Sequence, residues 1–255
     1  MKIAVIGARG SVGRACVQEL MERGHVAIEL GSNENVPKEA EAVIIATPID
    51  DREFHSRVVD CSGELENTSL VLPNILESRS ERLRVPNCMA SLIAQALATL
   101  HIKCTIMSIV AVCMQAASGA GWRGVKALEQ NDTEDLFHGD LINNILPHEN
   151  FLKEEKAIKD DLRSLFGCKV QATSFRVPVL VGHLASLRIK TQKPIDDGLF
   201  VDSICFDPKS MENQREVAIG RIRTHKNITN LVVCGDQLLC GTAIPAVDAV
   251  CGVSN

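Results

Sequence analysis

The sequence predicts an α/β protein, a Rossmann-like doubly wound parallel sheet joined to a mixed α/β domain. Three observations carry that reading. A short apolar run, Lys2-Ile3-Ala4-Val5-Ile6, opens directly into a turn with glycines at 7, 10 and 13. Behind the turn, residues 14–21 place apolar side chains at helical spacing. Further apolar runs at 26–30, 42–47, 57–61 and 69–72 alternate with polar or helix-compatible stretches, the rhythm expected of parallel strands.

Each part of the opening unit has a physical reason. Gly7 allows a tight turn, Gly10 lets the backbone approach a diphosphate, and Gly13 lets helix and strand pack closely, so that free N–H groups at the helix start face an anion. Gly24 stands where a glycine ends a helix. The spacing is Gly-x-x-Gly-x-x-Gly, a variant that points to a dinucleotide without choosing which. At the end of the second strand Glu29 could bond a ribose diol or face solvent, whereas Ser32 and Asn33 could accept a phosphate.

At 255 residues with 45% hydrophobic side chains, the chain is long enough for two domains sharing a cleft. Its net charge of −5, with 27 scattered Lys and Arg, offers no field for a phosphate backbone, which excludes nucleic acid as an expected partner. The ten cysteines lack the spacing of a disulfide framework, and the N-terminal apolar run is too short for a signal segment, so a cytosolic protein with reduced thiols is expected. Residues 104–122 carry no charge and approach membrane-spanning length. They contain Gln115 and end in Ser118-Gly119-Ala120-Gly121, which predicts a buried strand entering a glycine loop and no membrane span. The seven histidines are dispersed, with no His-x₃-His or Cys-x₂-Cys pair, so no metal site is expected.

Two segments carry candidate chemistry. Pro86-Asn87-Cys88 precedes a stretch with helical apolar spacing, which puts Cys88 at a helix start. There the unpaired N–H groups and the positive dipole end favour a thiolate; the alternative is a small buried apolar residue. In 175–183 a β-type run carries Arg176 at one end and His183 seven residues later. The first offers a planar fork for a carboxylate and the second a base near neutral pH. A solvated Arg and a satisfied core His are the competing readings.

Taken together and in order, these blocks resemble the aspartate-semialdehyde dehydrogenases. Gly7-Ala8-Arg9-Gly10-Ser11-Val12-Gly13 is similar to that family's nucleotide turn, Pro86-Asn87-Cys88 to its nucleophile segment, and Gln115-Ala116-Ala117-Ser118-Gly119-Ala120-Gly121 to its glutamine and glycine loop. Asn144-Ile145-Leu146-Pro147-His148, Arg176-Val177-Pro178-Val179 with Gly182-His183, Gly220-Arg221-Ile222-Arg223 and the segment 236–250 follow collinearly. The resemblance implies a reversible, NADP-dependent oxidative phosphorylation of aspartate 4-semialdehyde to 4-aspartyl phosphate through a cysteine thioester, in amino-acid biosynthesis. Cys88 would be the attacking thiolate, His183 the acid/base, and Gln115 a positioning group. Arg176 would clamp the substrate carboxylate, with Glu154 and Asn87 as further substrate contacts. Gly7, Arg9, Gly10, Ser11, Val12, Gly13, Ser32, Ser118, Gly119, Gly121 and Gln237 would surround NADP. The resemblance also implies a homodimer and two domains: 1–86 with 236–255 for the dinucleotide, and 87–235 for catalysis and dimerisation.

The chain also departs from the family. It is shorter after the second strand and between 195 and 221. Residues 61–67 carry no cation where the family holds phosphate with an Arg, and Ala157 stands where a Lys is expected, with Lys156 turned away by roughly 100° on a helix. Ala185 replaces an acidic residue that many members carry. Arg79, Arg82 or Arg84 could meet phosphate instead. Two other readings stay open, an N-acetyl-glutamyl-phosphate reductase-like enzyme and a non-catalytic nucleotide-binding paralogue.

Overall fold

A computed structural model describes residues 1–49, 54–195, 199 and 206–252, and the chain divides into two compact units, Met1–Asn87 with the segment from Leu238, and Cys88–Gln237. The first unit opens with β1 (Lys2–Ile6), α1 (Ser11–Glu22), β2 (Val26–Leu30), β3 (Ala42–Ile45), β4 (Arg57–Asp60), β5 (Ser69–Leu70) and β6 (Arg82–Arg84). All the pairings are parallel, in the order β2-β1-β3-β4-β6-β5. β6 is invisible to periodicity, because Arg-Leu-Arg offers a single apolar residue; the register Leu83 against Val59 is what makes it a strand.

Alternation along the central strands sends Ile3, Val5, Ile44 and Val59 to one face and Ala4, Ile6, Val43, Ile45 and Val58 to the other, all fully or almost fully buried. Each larger aliphatic side chain removed from water contributes about 1.5–3 kcal/mol. Cys16 and Leu20 of α1 cover the first face. The second face is covered by Leu30, Ala40 and Leu65, with Val36, Ile49 and Phe54 packed against them. The connection from β2 to β3, residues 31–41, forms no helix, so segments without regular structure do the covering there.

The second unit follows as α2 (Cys88–Cys104), β7 (Ile106–Gln115), a 3₁₀ turn (Ala117–Ala120), α3 (Trp122–Glu129), α4 (Glu134–Phe137), β8 (Leu146–Pro147), α5 (Phe151–Phe166), β9 (Lys169–Arg176), β10 (His183–Thr191), β11 (Ala218–His225) and β12 (Ile228–Gly235). Its sheet runs β11-β12-β10-β7-β9-β8. Only β7 and β9 pair in parallel; the other neighbours are antiparallel. The uncharged stretch 104–122 is thus strand and turn, and no helix among the described residues is long and apolar enough to cross a membrane. Helix α2 is buried almost all round, from Met89 and Ala90 to Leu97 and Leu100, as befits a helix apolar on every side. In α5 the stripe Ile158, Leu162 and Phe166 faces inward, and Gly167 closes the helix in the left-handed region at φ 63°.

The chain then returns to the first unit. A π-helical turn (Leu239–Ala243) and α6 (Ile244–Cys251) lay Ala246, Val247 and Val250 on the face already lined by α1. Arg23 ties the two helices, bonding Glu19 within α1 and Asp248 on α6. Nine cysteines are free thiols; Cys205 lies outside the described residues.

Candidate active site

In the first unit the glycine turn is built by backbone alone. Gly7 sits at φ 80°, and the N–H groups of Gly7 and Ala8 donate to the Leu30 carbonyl at 2.9 and 3.2 Å, which joins the turn to the end of β2. A Cβ on Gly13 would stand 2.1 Å from the Gly7 carbonyl oxygen, so this position admits only glycine. Gly10 caps α1 without any side-chain hydrogen bond to the helix start. That arrangement is the anion cradle a dinucleotide diphosphate needs, with N–H groups and the helix dipole aimed outward. Arg9 and Ser32 are exposed beside it. Glu34 folds back to accept the Gly31 N–H at 2.8 Å.

In the second unit, strand register assembles the polar groups. Gln115 ends β7 opposite Arg176 at the end of β9, while β10 starts at His183, one residue before the Leu184–Met114 pair. Three adjacent strands therefore deliver Gln115, Arg176 and His183 to one end of the sheet. Glu154, in the first turn of α5, accepts a hydrogen bond from Gln115 Nε2 at 2.7 Å.

Cys88 begins α2 and is half-buried. Burial pushes its thiol up to about 12; the Glu154 charge adds to this, and the Met89 N–H and Arg176 only partly oppose it. The expected resting thiolate is thereby corrected. A helix start lowers a thiol pKa only where water also reaches the sulfur, and here desolvation outweighs the dipole.

His183 is fully buried. Its Nδ1 accepts the Ala116 N–H at 3.2 Å, and its Nε2 has no partner among the described residues. Burial, then the Arg176 charge and His148, hold its pKa well below the ordinary value of 6.5. The ring is neutral, and because Nδ1 is an acceptor, the proton resides on Nε2.

Arg176 is 1% exposed and far from open. Nε donates to Glu149 Oε2 at 3.2 Å and Nη2 to Glu149 Oε1 at 2.5 Å. Nη1 donates to the Ala116 carbonyl at 2.6 Å, Nη2 lies 2.8 Å from His148 Nε2, and the guanidinium stacks over Phe137. An internal carboxylate, that of Glu149, fills the fork that the resemblance assigns to a substrate carboxylate.

The glycine loop serves these groups. A Cβ on Gly119 would meet Arg176 Nη1 at 2.6 Å and His183 Nε2 at 3.3 Å, so Gly119 makes room for two side chains. The family resemblance implies Ser118 and Gln237 at the cofactor. Both side chains are buried, with Gln237 Nε2 donating to Ser118 Oγ at 2.5 Å and Gln237 Oε1 accepting the Gly182 N–H at 3.0 Å. They staple the loop to the turn before His183. Gly121, at φ 73°, ends the 3₁₀ turn. Asn87 is half-buried at the end of the first unit. Lys156 pairs with Asp160 on the exposed side of α5 at 2.7 Å, away from Glu154.

Sequence reasoning misses Glu149, His148 and Phe137 as parts of this site. The pair His148-Glu149 follows Pro147 in β8, whose antiparallel register sets Leu146 opposite Arg176; only that pairing reveals the contact. Among the described residues no group of His, Cys, Asp and Glu could hold a metal ion.

Known proteins are similar to this chain over most of its length. Residues 97–198 match the family description "Semialdehyde dehydrogenase, dimerisation domain". The aspartate-semialdehyde dehydrogenase of Rickettsia bellii is 26% identical over an alignment of 321 residues that covers 96% of this chain and 95% of the relative. That of Synechocystis sp. is 28% identical over 70% of this chain and 65% of the relative. Among solved structures, aspartate semialdehyde dehydrogenase II from Vibrio cholerae, complexed with ASA, superposes with a TM-score of 0.84 at 20% identity, covering 97% of this chain and 96% of that one.

Proposed function

We propose, on the premise that this chain belongs to the aspartate-semialdehyde dehydrogenase family, that it catalyses the NADP-dependent interconversion of aspartate 4-semialdehyde and 4-aspartyl phosphate through a thioester on Cys88. The observation that carries the reading is the convergence in one unit of a helix-start cysteine, a neutral buried histidine with an unpartnered Nε2, and a Gln115–Glu154 pair. The proposal extends to a homodimer in the cytoplasm.

The protonation states dictate how the residues act. A thiol near 12 attacks only as its proton leaves. We assign His183 Nε2–H as donor to the aldehyde oxygen; once that proton is given, Nε2 is free to take the thiol proton, so a carbon–sulfur bond forms and a neutral hemithioacetal results with no net charge. In the oxidative direction the hydride leaves the same carbon and the hydroxyl proton passes to solvent as the carbonyl of the thioester forms, because Nε2 has already regained its proton. The dinucleotide, when bound at the Gly7–Gly13 turn, supplies the hydride acceptor. Phosphate then attacks the thioester carbonyl, the carbon–sulfur bond breaks and Cys88 departs, recovering its proton through His183. Gln115, tethered to Glu154, orients the acyl group, and Glu154 suits the substrate amino group.

The test is a phosphate- or arsenate-dependent rise in NADPH absorbance with the semialdehyde, together with titrations of NADP and NAD. Cys88→Ser should remove the activity by at least about 10³-fold while leaving NADP binding intact. A flat trace from wild-type protein that binds NADP would sink the reading and favour a non-catalytic paralogue, for which the exposed Lys156 and the filled Arg176 fork already speak.

A further inference from the structure

We propose that Glu149 is an internal competitor for the substrate carboxylate at Arg176, and that it sets the affinity of the site for its carboxylate-bearing substrate. This inference rests on the family reading above, and it concerns a residue the chemistry of the reaction does not otherwise use.

The supply of donors on Arg176 decides the competition. A guanidinium has five N–H groups, and a carboxylate docks on it through two parallel bonds along one edge. In Arg176, Nε is spent on Glu149 Oε2, and Nη2 faces both Glu149 Oε1 and His148 Nε2. Nη1 gives one hydrogen to the Ala116 carbonyl. Glu149 fills the Nε–Nη2 edge, and the Ala116 carbonyl and His148 Nε2 take the Nη1–Nη2 edge, so a substrate carboxylate gains a bidentate hold only by displacing a partner, and Glu149 is the one it replaces charge for charge. Burial alone would raise the Glu149 carboxyl, but the bond to Arg176 and its charge outweigh that and hold it below the ordinary range, so the competitor stays charged at neutral pH.

The exchange is feasible because it swaps one carboxylate for another, leaving Arg176 paired throughout. The buried Arg176 charge is never stranded, which is the step that makes breaking a buried pair costly. A released Glu149 also has somewhere to go. It precedes Asn150, the N-cap of α5, whose start has no side-chain cap, and a carboxylate is favoured beside a helix N-terminus. Occupancy of the fork by Glu149 therefore lowers apparent substrate affinity by the fraction of time the fork is free.

Trp122 permits a direct test, because it is the single tryptophan, in a chain with no tyrosine, and starts α3 just after the loop that bonds Arg176. Propionate, a plain carboxylate, is titrated while Trp122 emission is followed, alongside KM and kcat for the semialdehyde. Glu149→Gln should tighten propionate about tenfold and lower KM by the same factor. Glu149→Asp, which keeps the charge but shortens the reach, should fall between, and serves if the Gln variant does not fold. Arg176→Lys should abolish propionate binding in either background. Unchanged or weaker propionate binding in folded Glu149 variants would overturn the proposal. If wild-type protein does not turn over the semialdehyde yet propionate binding responds to Glu149, the catalytic reading falls and the competition stands.

Discussion

The two glycine-rich loops of this chain look alike in sequence and differ in what they make room for. In the first unit, a Cβ on Gly13 would collide with the Gly7 carbonyl at 2.1 Å, backbone against backbone. In the second unit, a Cβ on Gly119 would press on the ends of two side chains, Arg176 at 2.6 Å and His183 at 3.3 Å. The first glycine is required by the local path of the chain. The second is required by residues far along the sequence that happen to be the site. A glycine can thus report on its own turn or on distant chemistry, and only the identity of the colliding atoms tells which.

That contrast can be broken experimentally. Gly13→Ala should be the most damaging change, because the carbonyl it meets belongs to a turn pinned to Leu30 and cannot retreat. We expect a loss of at least about 3 kcal/mol in the stability of the first unit, read by thermal or denaturant unfolding, and loss of NADP binding. Gly119→Ala should be milder in stability and specific in function. The new methyl would shift Arg176 and His183 by a few tenths of an ångström, lowering kcat by roughly 10²-fold while NADP affinity stays at the wild-type value. If both variants lose stability equally, or if Gly119→Ala leaves kcat untouched, the distinction between the loops fails.

The smallest effect sharpens the second region alone. With its thiol near 12, Cys88 is ionised to about one part in 10⁵ at pH 7. Its alkylation by iodoacetamide, followed by peptide mass spectrometry, should therefore be slow at neutral pH and rise about tenfold per pH unit up to at least pH 10. Ionisation increases as pH climbs towards a raised pKa, so the slope is positive and no plateau falls in the physiological range. A plateau below pH 8 would mean a resting thiolate.

Much of the site is legible in the residues themselves. Gly7, Gly10 and Gly13 announce the turn because left-handed backbone and close packing are demands that glycine alone meets. Cys88 at a helix start follows from apolar spacing, and the collinear order of Gln115, Arg176 and His183 marks the other strand ends. What the residues do not disclose shares one cause, which is a partner distant in sequence. Ser118 and Gln237 bond each other across 119 positions of sequence. Glu149, 27 positions from Arg176, occupies its fork.

The sequence by itself determined the parallel sheet, the anion-ready turn and which residue types would gather at the end of the second sheet, because glycine torsions, strand alternation and helix periodicity are properties of near neighbours. The tertiary structure alone decided that Cys88 rests protonated, that His183 is neutral with its proton on Nε2, and that Arg176 is already paired. A charge is stabilised or penalised by the dielectric and the dipoles around it in space, and no local pattern of residues states what those will be.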